Sequence, residues 1–162
     1  MMSLDNSETL TRCARCGAML PGGSAGCFAL FAEVSALEYS DPAYAAVNFL
    51  STDAHALQHP EDHGVKSNAF HLIRLCWLLE HDGNPRIGQG PLWLQKQLDG
   101  NPKLPMLEPP VDRGKVTVVD VQGATTPEEH AERAWRWASS VWEAWRAHHE
   151  WARQWLKQRG AE

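Results

Sequence analysis

The sequence predicts a mainly all-α protein, a compact helical bundle with a cysteine-rich knuckle at its N-terminus and a long tryptophan-rich helix at its C-terminus. Three observations support this fold class. Apolar residues recur at helical spacing through much of residues 27–98. Four prolines interrupt residues 99–114, which therefore form a connection rather than an element. Six of the eight tryptophans lie between Trp135 and Trp155, in a segment with strong helix signals.

The length of 162 residues fits a single domain spanning 1–162. We divide it into a cysteine knuckle with its leader, a helical core, a proline-rich connection and the long C-terminal helix, at residues 1–26, 27–98, 99–124 and 125–160. The first 12 residues are polar and are expected to be frayed.

Composition and charge narrow the classes of function. A hydrophobic content of 43% with 22% charged residues is typical of a soluble globular protein. The net charge of −5 argues against a nucleic-acid partner. No apolar run reaches the roughly 18–20 residues of a membrane span, and the N-terminal residues carry no secretion signal. We therefore expect a cytoplasmic protein with no membrane partner, whose cysteines are thiols or metal ligands rather than disulfides.

The knuckle begins with Cys13-Ala-Arg-Cys16-Gly17, the C-x-x-C-G form of a zinc-binding turn. Two thiolates on a tight turn can bind one ion, and Gly17 permits that turn. A Gly/Pro-rich loop then leads to Cys27, which can supply a third thiolate. A redox C-x-x-C usually follows a strand and opens a helix, whereas this one precedes a loop. The pattern favours zinc over a redox motif, and incidental cysteines in a flexible leader are the remaining alternative.

Helix start and stop signals place the elements. We expect helices over residues 27–39, 42–59, 67–81, 91–98 and 125–160. Asp41 and Pro42 are predicted to start the second of these, and Ser67 to cap the third. Thr125 and Pro127 mark the start of the last helix. Residues 115–121 have strand propensity but no partner strand, so they are expected to be extended or to form a short helix.

Histidines cluster near the second and third helices. His55 and His59 lie opposite the apolar side of their helix, so the plain interpretation is a solvated polar face. A pair spaced i, i+4 can also bind one metal ion. His71 lies on the apolar stripe of the third helix, where a buried histidine with a hydrogen-bond partner is expected. Cys76 on that helix is expected to be a core residue.

The tryptophans of the last helix fall on two opposite sides. Trp135, Trp142 and Trp145 share one side with His149, whereas Trp137, Trp151 and Trp155 share the other with His130 and His148. One core cannot bury both sides of a peripheral helix. The helix is therefore central to the bundle, or one face is an interface in a homodimer.

The motif order resembles a bacterial family of proteins of unknown function. The motifs are C-x-x-C-G, then D-x-x-x-x-Q-H-P and S-x-x-x-H-L, and near the C-terminus T-P-E-E-H and W-A-S-S-V-W-E-A-W. The resemblance covers nearly the whole chain and implies no activity. His55 stands where relatives tend to carry tyrosine, and Asn48 where they tend to carry histidine. The family's motif positions fall on Cys13, Cys16, Cys27, Gln58, His59, His71, Asp120, Trp137, Trp142, Trp145 and His149.

Two hypotheses of function follow. The first is a binding or interaction module with a structural zinc site, held by Cys13, Cys16, Cys27 and His59. In it His59 is the preferred fourth ligand, and His71 or another histidine is the alternative. The second is a metal-dependent hydrolase or transferase, similar to DinB-like proteins in architecture only. Its open metal site would use His59, His71 and His149 with Asp53 or Asp120.

Overall fold

The computed structural model describes residues 8–81 and 90–160 of the chain. These residues form seven helices and a two-stranded sheet, so the predicted mainly all-α fold is confirmed. None of the described helices has the length and apolar character needed to cross a membrane. The elements are β1 Leu10–Arg12, β2 Met19–Pro21, α1 Gly23–Ser40, α2 Asn48–Gln58, α3 Val65–Glu80, α4 Gly90–Asp99, α5 Val118–Val121, α6 Pro127–Ala144 and α7 His149–Gln158.

The knuckle is a β-hairpin that continues into α1. The strands β1 and β2 pair antiparallel, with Leu10 opposite Pro21. In the turn between them the Cys13 N–H donates to Ala18 O at 2.7 Å, and Gly17 has a φ of +79°, which glycine adopts readily. The expectation of a frayed segment up to residue 12 is therefore wrong for β1, and residues 1–7 lie outside the described residues.

The first two helices begin at other residues than predicted. Helix α1 starts at Gly23, so Cys27 lies one turn inside the helix. Asp41 does not cap α2: its Oδ1 accepts the Ala43 N–H at 3.0 Å in a separate turn. A short 3₁₀ turn, Ala45–Val47, follows before α2.

Helix α2 is central and is buried on both sides, packing against α1, α3 and α6. Its apolar side carries Leu50 and Leu57, which are buried as predicted. Its polar side is buried as well: His55 is 3% exposed and His59 is 0% exposed. The interpretation of a solvated polar face is wrong, because α1 and the knuckle cover that side.

Helix α3 starts at Val65 with Gly64 as its N-cap residue, not at Ser67. Cys76 is buried on this helix, as predicted. The proline-rich connection ends in the short helix α5, where Thr117 and Asp120 form a capping box. This capping explains why a segment with strand propensity forms a helical turn here.

The last segment is two helices rather than one. Helix α6 begins with Thr126 as its N-cap residue and Pro127 at the first helical position. It ends at Ala144, a 3₁₀ turn spans Arg146–His148, and α7 follows. At the break the His149 ring stacks on Trp142, with centroids 3.7 Å apart. His149 Nε2–H donates to Trp142 O at 2.7 Å. In a continuous helix this carbonyl oxygen would accept a backbone N–H instead.

The sequence places the tryptophans of this segment on opposite sides of one long helix. Because the helix breaks between α6 and α7, tryptophans from both of those sides pack within one chain. Helix α7 packs against α3, whereas α6 packs against α2 and α5. Among the tryptophans of these two helices, those that are buried are Trp137, Trp142, Trp145 and Trp155, and those that are partly buried are Trp135 and Trp151.

Candidate metal centre

The fold brings Cys13, Cys16, Cys27 and His59 together. One ligand atom from each lies within 4.8 Å of every other, so the group can hold a metal ion. The hairpin turn supplies Cys13 and Cys16, α1 supplies Cys27, and the residue after α2 supplies His59. It is the only such group of three or more histidine, cysteine or acidic residues in the part of the chain that the structure describes.

Three of the distances between ligand atoms of the cluster are similar. His59 Nε2 lies 3.6 Å from Cys13 Sγ and 3.5 Å from Cys27 Sγ. The sulfurs of Cys16 and Cys27 are 3.7 Å apart, well beyond the roughly 2.05 Å of a disulfide. All three thiols are free, as is Cys76. The sulfurs therefore lie close together without a disulfide between them.

The His59 ring is held in one orientation. Its Nδ1–H donates to the His55 carbonyl oxygen at 2.6 Å. This hydrogen bond leaves Nε2 facing the cysteines, and such a backbone bond is the usual support for a metal-binding histidine. His59 has a non-helical backbone because Pro60 follows it. The helix therefore ends at the residue that turns toward the thiols.

The charges within the cluster are strongly coupled. A hydrogen bond with Cys27 lowers the pKa of Cys16 to about 4. The neighbouring Cys16 and burial raise the pKa of Cys27 above its ordinary value. Burial opposes protonation of His59, yet the Cys16 thiolate and the His55 carbonyl raise its pKa to about 9. A divalent metal ion bound among these groups would favour the thiolate form of all three cysteines.

His55 lies beside the cluster but outside it. Its Nε2 is 4.0 Å from Cys27 Sγ, and its ring stacks on Phe31 with centroids 3.9 Å apart. Burial, followed by the nearby charge of His59, lowers the pKa of His55 to about 3. A neutral ring at this position packs against the centre and supports His59 through its own carbonyl.

Arg113, an arginine of the proline-rich connection, forms hydrogen bonds with residues next to the cluster. Arg113 Nη1–H donates to Gln58 O at 3.3 Å and to Glu61 Oε2 at 2.8 Å. Hydrogen bonds from Arg113 also lower the pKa of Glu61. The loop around Arg113 and the hairpin turn together line a cleft of about 500 Å³. The sequence analysis did not predict this ion pair, because Arg113 and Glu61 are 52 residues apart and belong to no short-range pattern.

The histidines of the alternative open site have separate partners. His59 faces the cysteines, whereas His149 donates to Trp142 O. His71 Nδ1–H donates to Asp53 Oδ1 at 2.7 Å, so it has the hydrogen-bond partner that a histidine at this position needs. Asp120 Oδ2 accepts the Thr117 N–H at 2.8 Å. Of the proposed open set, only His71 and Asp53 meet.

Fold and site together define a small helical protein with a cluster of three cysteines and one histidine, in which Cys16 is partly exposed and the other three residues are buried. Comparison with family models matches residues 11–146 to DUF5946, a family of unknown function. The chain belongs to this family, which confirms the resemblance to a family without an assigned activity. The matched range contains all four clustered residues. No curated protein and no solved structure matches the chain.

Proposed function

We propose that this protein is a zinc-stabilised helical interaction module whose metal is structural. The observation that carries the proposal is the spacing of the four ligand atoms. Around a tetrahedral zinc, two sulfurs lie about 3.8 Å apart, and a sulfur and an imidazole nitrogen about 3.5 Å apart. In this structure the sulfurs of Cys16 and Cys27 are 3.7 Å apart, and His59 Nε2 lies 3.6 and 3.5 Å from the sulfurs of Cys13 and Cys27. All four ligand atoms lie within 4.8 Å of one another.

The donor set and its burial support a structural role. Three thiolates and an imidazole suit Zn²⁺ better than a hard cation such as Mg²⁺. Cys13 is 1% exposed, and Cys27 and His59 are each 0% exposed. Four protein ligands fill a tetrahedral site, so no position is left for water or substrate. The metal would therefore join the hairpin, α1 and the end of α2 without taking part in chemistry.

The thiolate ligands also bear on the cellular compartment. Thiols kept reduced for metal binding are typical of a reducing environment. We therefore propose that the protein works in the cytoplasm.

Metal analysis of protein purified without a histidine tag tests the proposal. We expect one zinc per chain, with the three clustered thiols unreactive until a chelator is added. Cys16→Ser should lose the zinc and unfold, since structural zinc contributes about 10–16 kcal/mol in small zinc domains, as much as a whole domain's stability. Cys76→Ala is the matched control, because Cys76 is a buried thiol outside the cluster, and it should keep its zinc.

Two histidine variants test the fourth ligand. His59→Ala should lose the zinc, whereas His55→Ala should retain it, since the His55 ring is farther from the nearest sulfur. Zinc that stays bound in Cys16→Ser, or protein that folds normally without metal, would refute a structural Cys₃His site.

Self-association through the tryptophan-rich segment is the second part of the proposal. Only two tryptophans of α6 and α7, Trp135 and Trp151, are partly exposed, so a dimer interface on this segment would be centred on them. Light scattering across a concentration series gives the mass directly. A mass of one chain at all concentrations would rule out the dimer, and a dimer that persists in Trp135→Ala and Trp151→Ala would place the interface elsewhere.

A further inference from the structure

Two histidines face each other where the chain turns from α2 into α3. His63 follows the 3₁₀ turn Pro60–Asp62, and His71 lies on α3. Their ring centroids are 5.5 Å apart, with an interplanar angle of 68°. Both rings are partly exposed, and neither belongs to the Cys₃His group. This pair is therefore a separate cluster of metal-ligating groups that the proposed function does not use.

A buried carboxylate orients His71. Asp53 is fully buried, and its Oδ1 accepts His71 Nδ1–H at 2.7 Å. Arg74 neutralises the carboxylate through bonds of 2.8 Å to Oδ2 and 2.6 Å to Oδ1. The lone pair of His71 is thereby placed on Nε2. A carboxylate behind the opposite ring nitrogen is the usual support of a histidine that binds metal.

We propose that His63 and His71 form an open site for a divalent transition-metal ion. An imidazole centroid lies about 3.2 Å from a bound ion, so two rings at a tetrahedral angle are about 5.2 Å apart. The observed centroid separation of 5.5 Å is close to this value. Imidazole pairs suit Zn²⁺, Ni²⁺, Co²⁺ or Cu²⁺.

The site differs from the cysteine centre in its chemistry. Two protein ligands leave the other positions to water or to an oxygen or nitrogen ligand from solution. Part of the His71 side chain, 12%, is exposed, so an ion can reach it from solvent. The site does not depend on the proposed structural zinc, since the two share no residue.

Nickel binding to the zinc-loaded, tag-free full chain tests the proposal. The probe is NiCl₂, followed by calorimetry, with zinc content measured before and after the titration. We expect one Ni²⁺ per chain and no loss of zinc. His63→Ala and His71→Ala should each weaken Ni²⁺ binding at least tenfold. His148→Ala is the matched control, because His148 lies on the 3₁₀ turn after α6, and it should bind Ni²⁺ as the parent protein does.

Folding of the variants is checked by circular dichroism, because His71→Ala removes a partner of Asp53. His63→Ala carries the test even if His71→Ala is unstable, since it leaves the hydrogen bond from His71 to Asp53 in place. Absence of Ni²⁺ binding in the parent protein would overturn the proposal. So would binding that survives His63→Ala. Displacement of zinc instead of addition of nickel would also overturn it, and would leave the cysteine centre as the only metal site.

Discussion

Gln58 joins three parts of the chain through its side chain. Its Nε2–H₂ donates to Arg113 O at 3.0 Å and to Val116 O at 2.8 Å. Its Oε1 accepts Trp137 Nε1–H at 2.9 Å. The amide thus ties α2 to the proline-rich connection on one side and to α6 on the other, and the side chain is 0% exposed.

Replacing Gln58 with leucine keeps the volume and removes all three hydrogen bonds. The indole N–H of Trp137 is then buried without a partner, because Trp137 is 0% exposed, at a cost of about 1–3 kcal/mol. The carbonyl oxygens of Arg113 and Val116 also lose their donor. They lie in partly buried surroundings, and we assign a free-energy cost of about 1 kcal/mol to each. The sum is about 3–5 kcal/mol, a large part of the 5–15 kcal/mol that stabilises a typical domain.

Urea denaturation of the zinc-loaded protein at pH 7, followed by circular dichroism, measures this loss. Gln154→Leu is the control: Gln154 is exposed and its side chain donates to Glu150 Oε1 at 2.8 Å on the same helix, so its change should stay within about 0.5 kcal/mol. The part of the lost free energy of unfolding that comes from hydrogen bonds should be smaller for Trp137→Phe than for Gln58→Leu. Trp137→Phe leaves one unpaired acceptor, whereas Gln58→Leu leaves three unpaired groups. A loss below about 1 kcal/mol for Gln58→Leu would refute the reasoning that these buried groups depend on the amide.

Two further predictions concern helix contacts. Gly26→Ala should destabilise the protein by more than about 2 kcal/mol in the same assay, since an added Cβ would lie 1.8 Å from Pro21 O. Gly64→Ala, with open space around the added Cβ, is its control and should change stability by less than about 1 kcal/mol. Arg153→Met should cost about 0.5–1 kcal/mol at pH 7, because it removes the ion pair between α7 and Glu80. Hydrogen bonds from Arg153 lower the pKa of Glu80 below its ordinary 4.5. The ion pair therefore makes its full contribution to the free energy of unfolding above pH 4.5, and this contribution is lost as the pH falls further. Denaturation measured at pH 7 and at decreasing pH should show the difference between parent and variant shrink below pH 4.5; a constant difference would contradict the assignment.

The knuckle and the core helices were predictable because their signals are local. The spacing of Cys13, Cys16 and Cys27 indicates a metal-binding turn without reference to the rest of the chain. The buried stripe of α3 and the Thr-Pro start of α6 likewise depend on neighbouring residues. The resemblance favours His59 over His55, because His59 falls on a motif position of the family whereas relatives tend to carry tyrosine at the position of His55.

The features that sequence reasoning missed depend on distant partners. The polar side of α2 was predicted to be solvated, because periodicity describes one helix and not what covers it. The end of α6 was missed because the contact found there joins the His149 side chain to a carbonyl seven residues earlier, which helix start and stop signals do not describe. The partner of His71 could be predicted as a hydrogen-bond acceptor but not identified as Asp53, 18 residues away.

The order of the ligands along the chain affects how the protein can fold during synthesis. All four clustered residues lie within the first 59, whereas α6, which covers another side of α2, begins at Pro127. At 5–20 residues per second, a ribosome adds the segment from Cys27 to His59 in roughly 2 to 6 seconds. An ion captured then would fix the hairpin, α1 and α2 as a folded layer before the tryptophan-rich helices exist. The later helices would dock onto a surface that is already in place, which shortens the interval during which their apolar residues are open to aggregation.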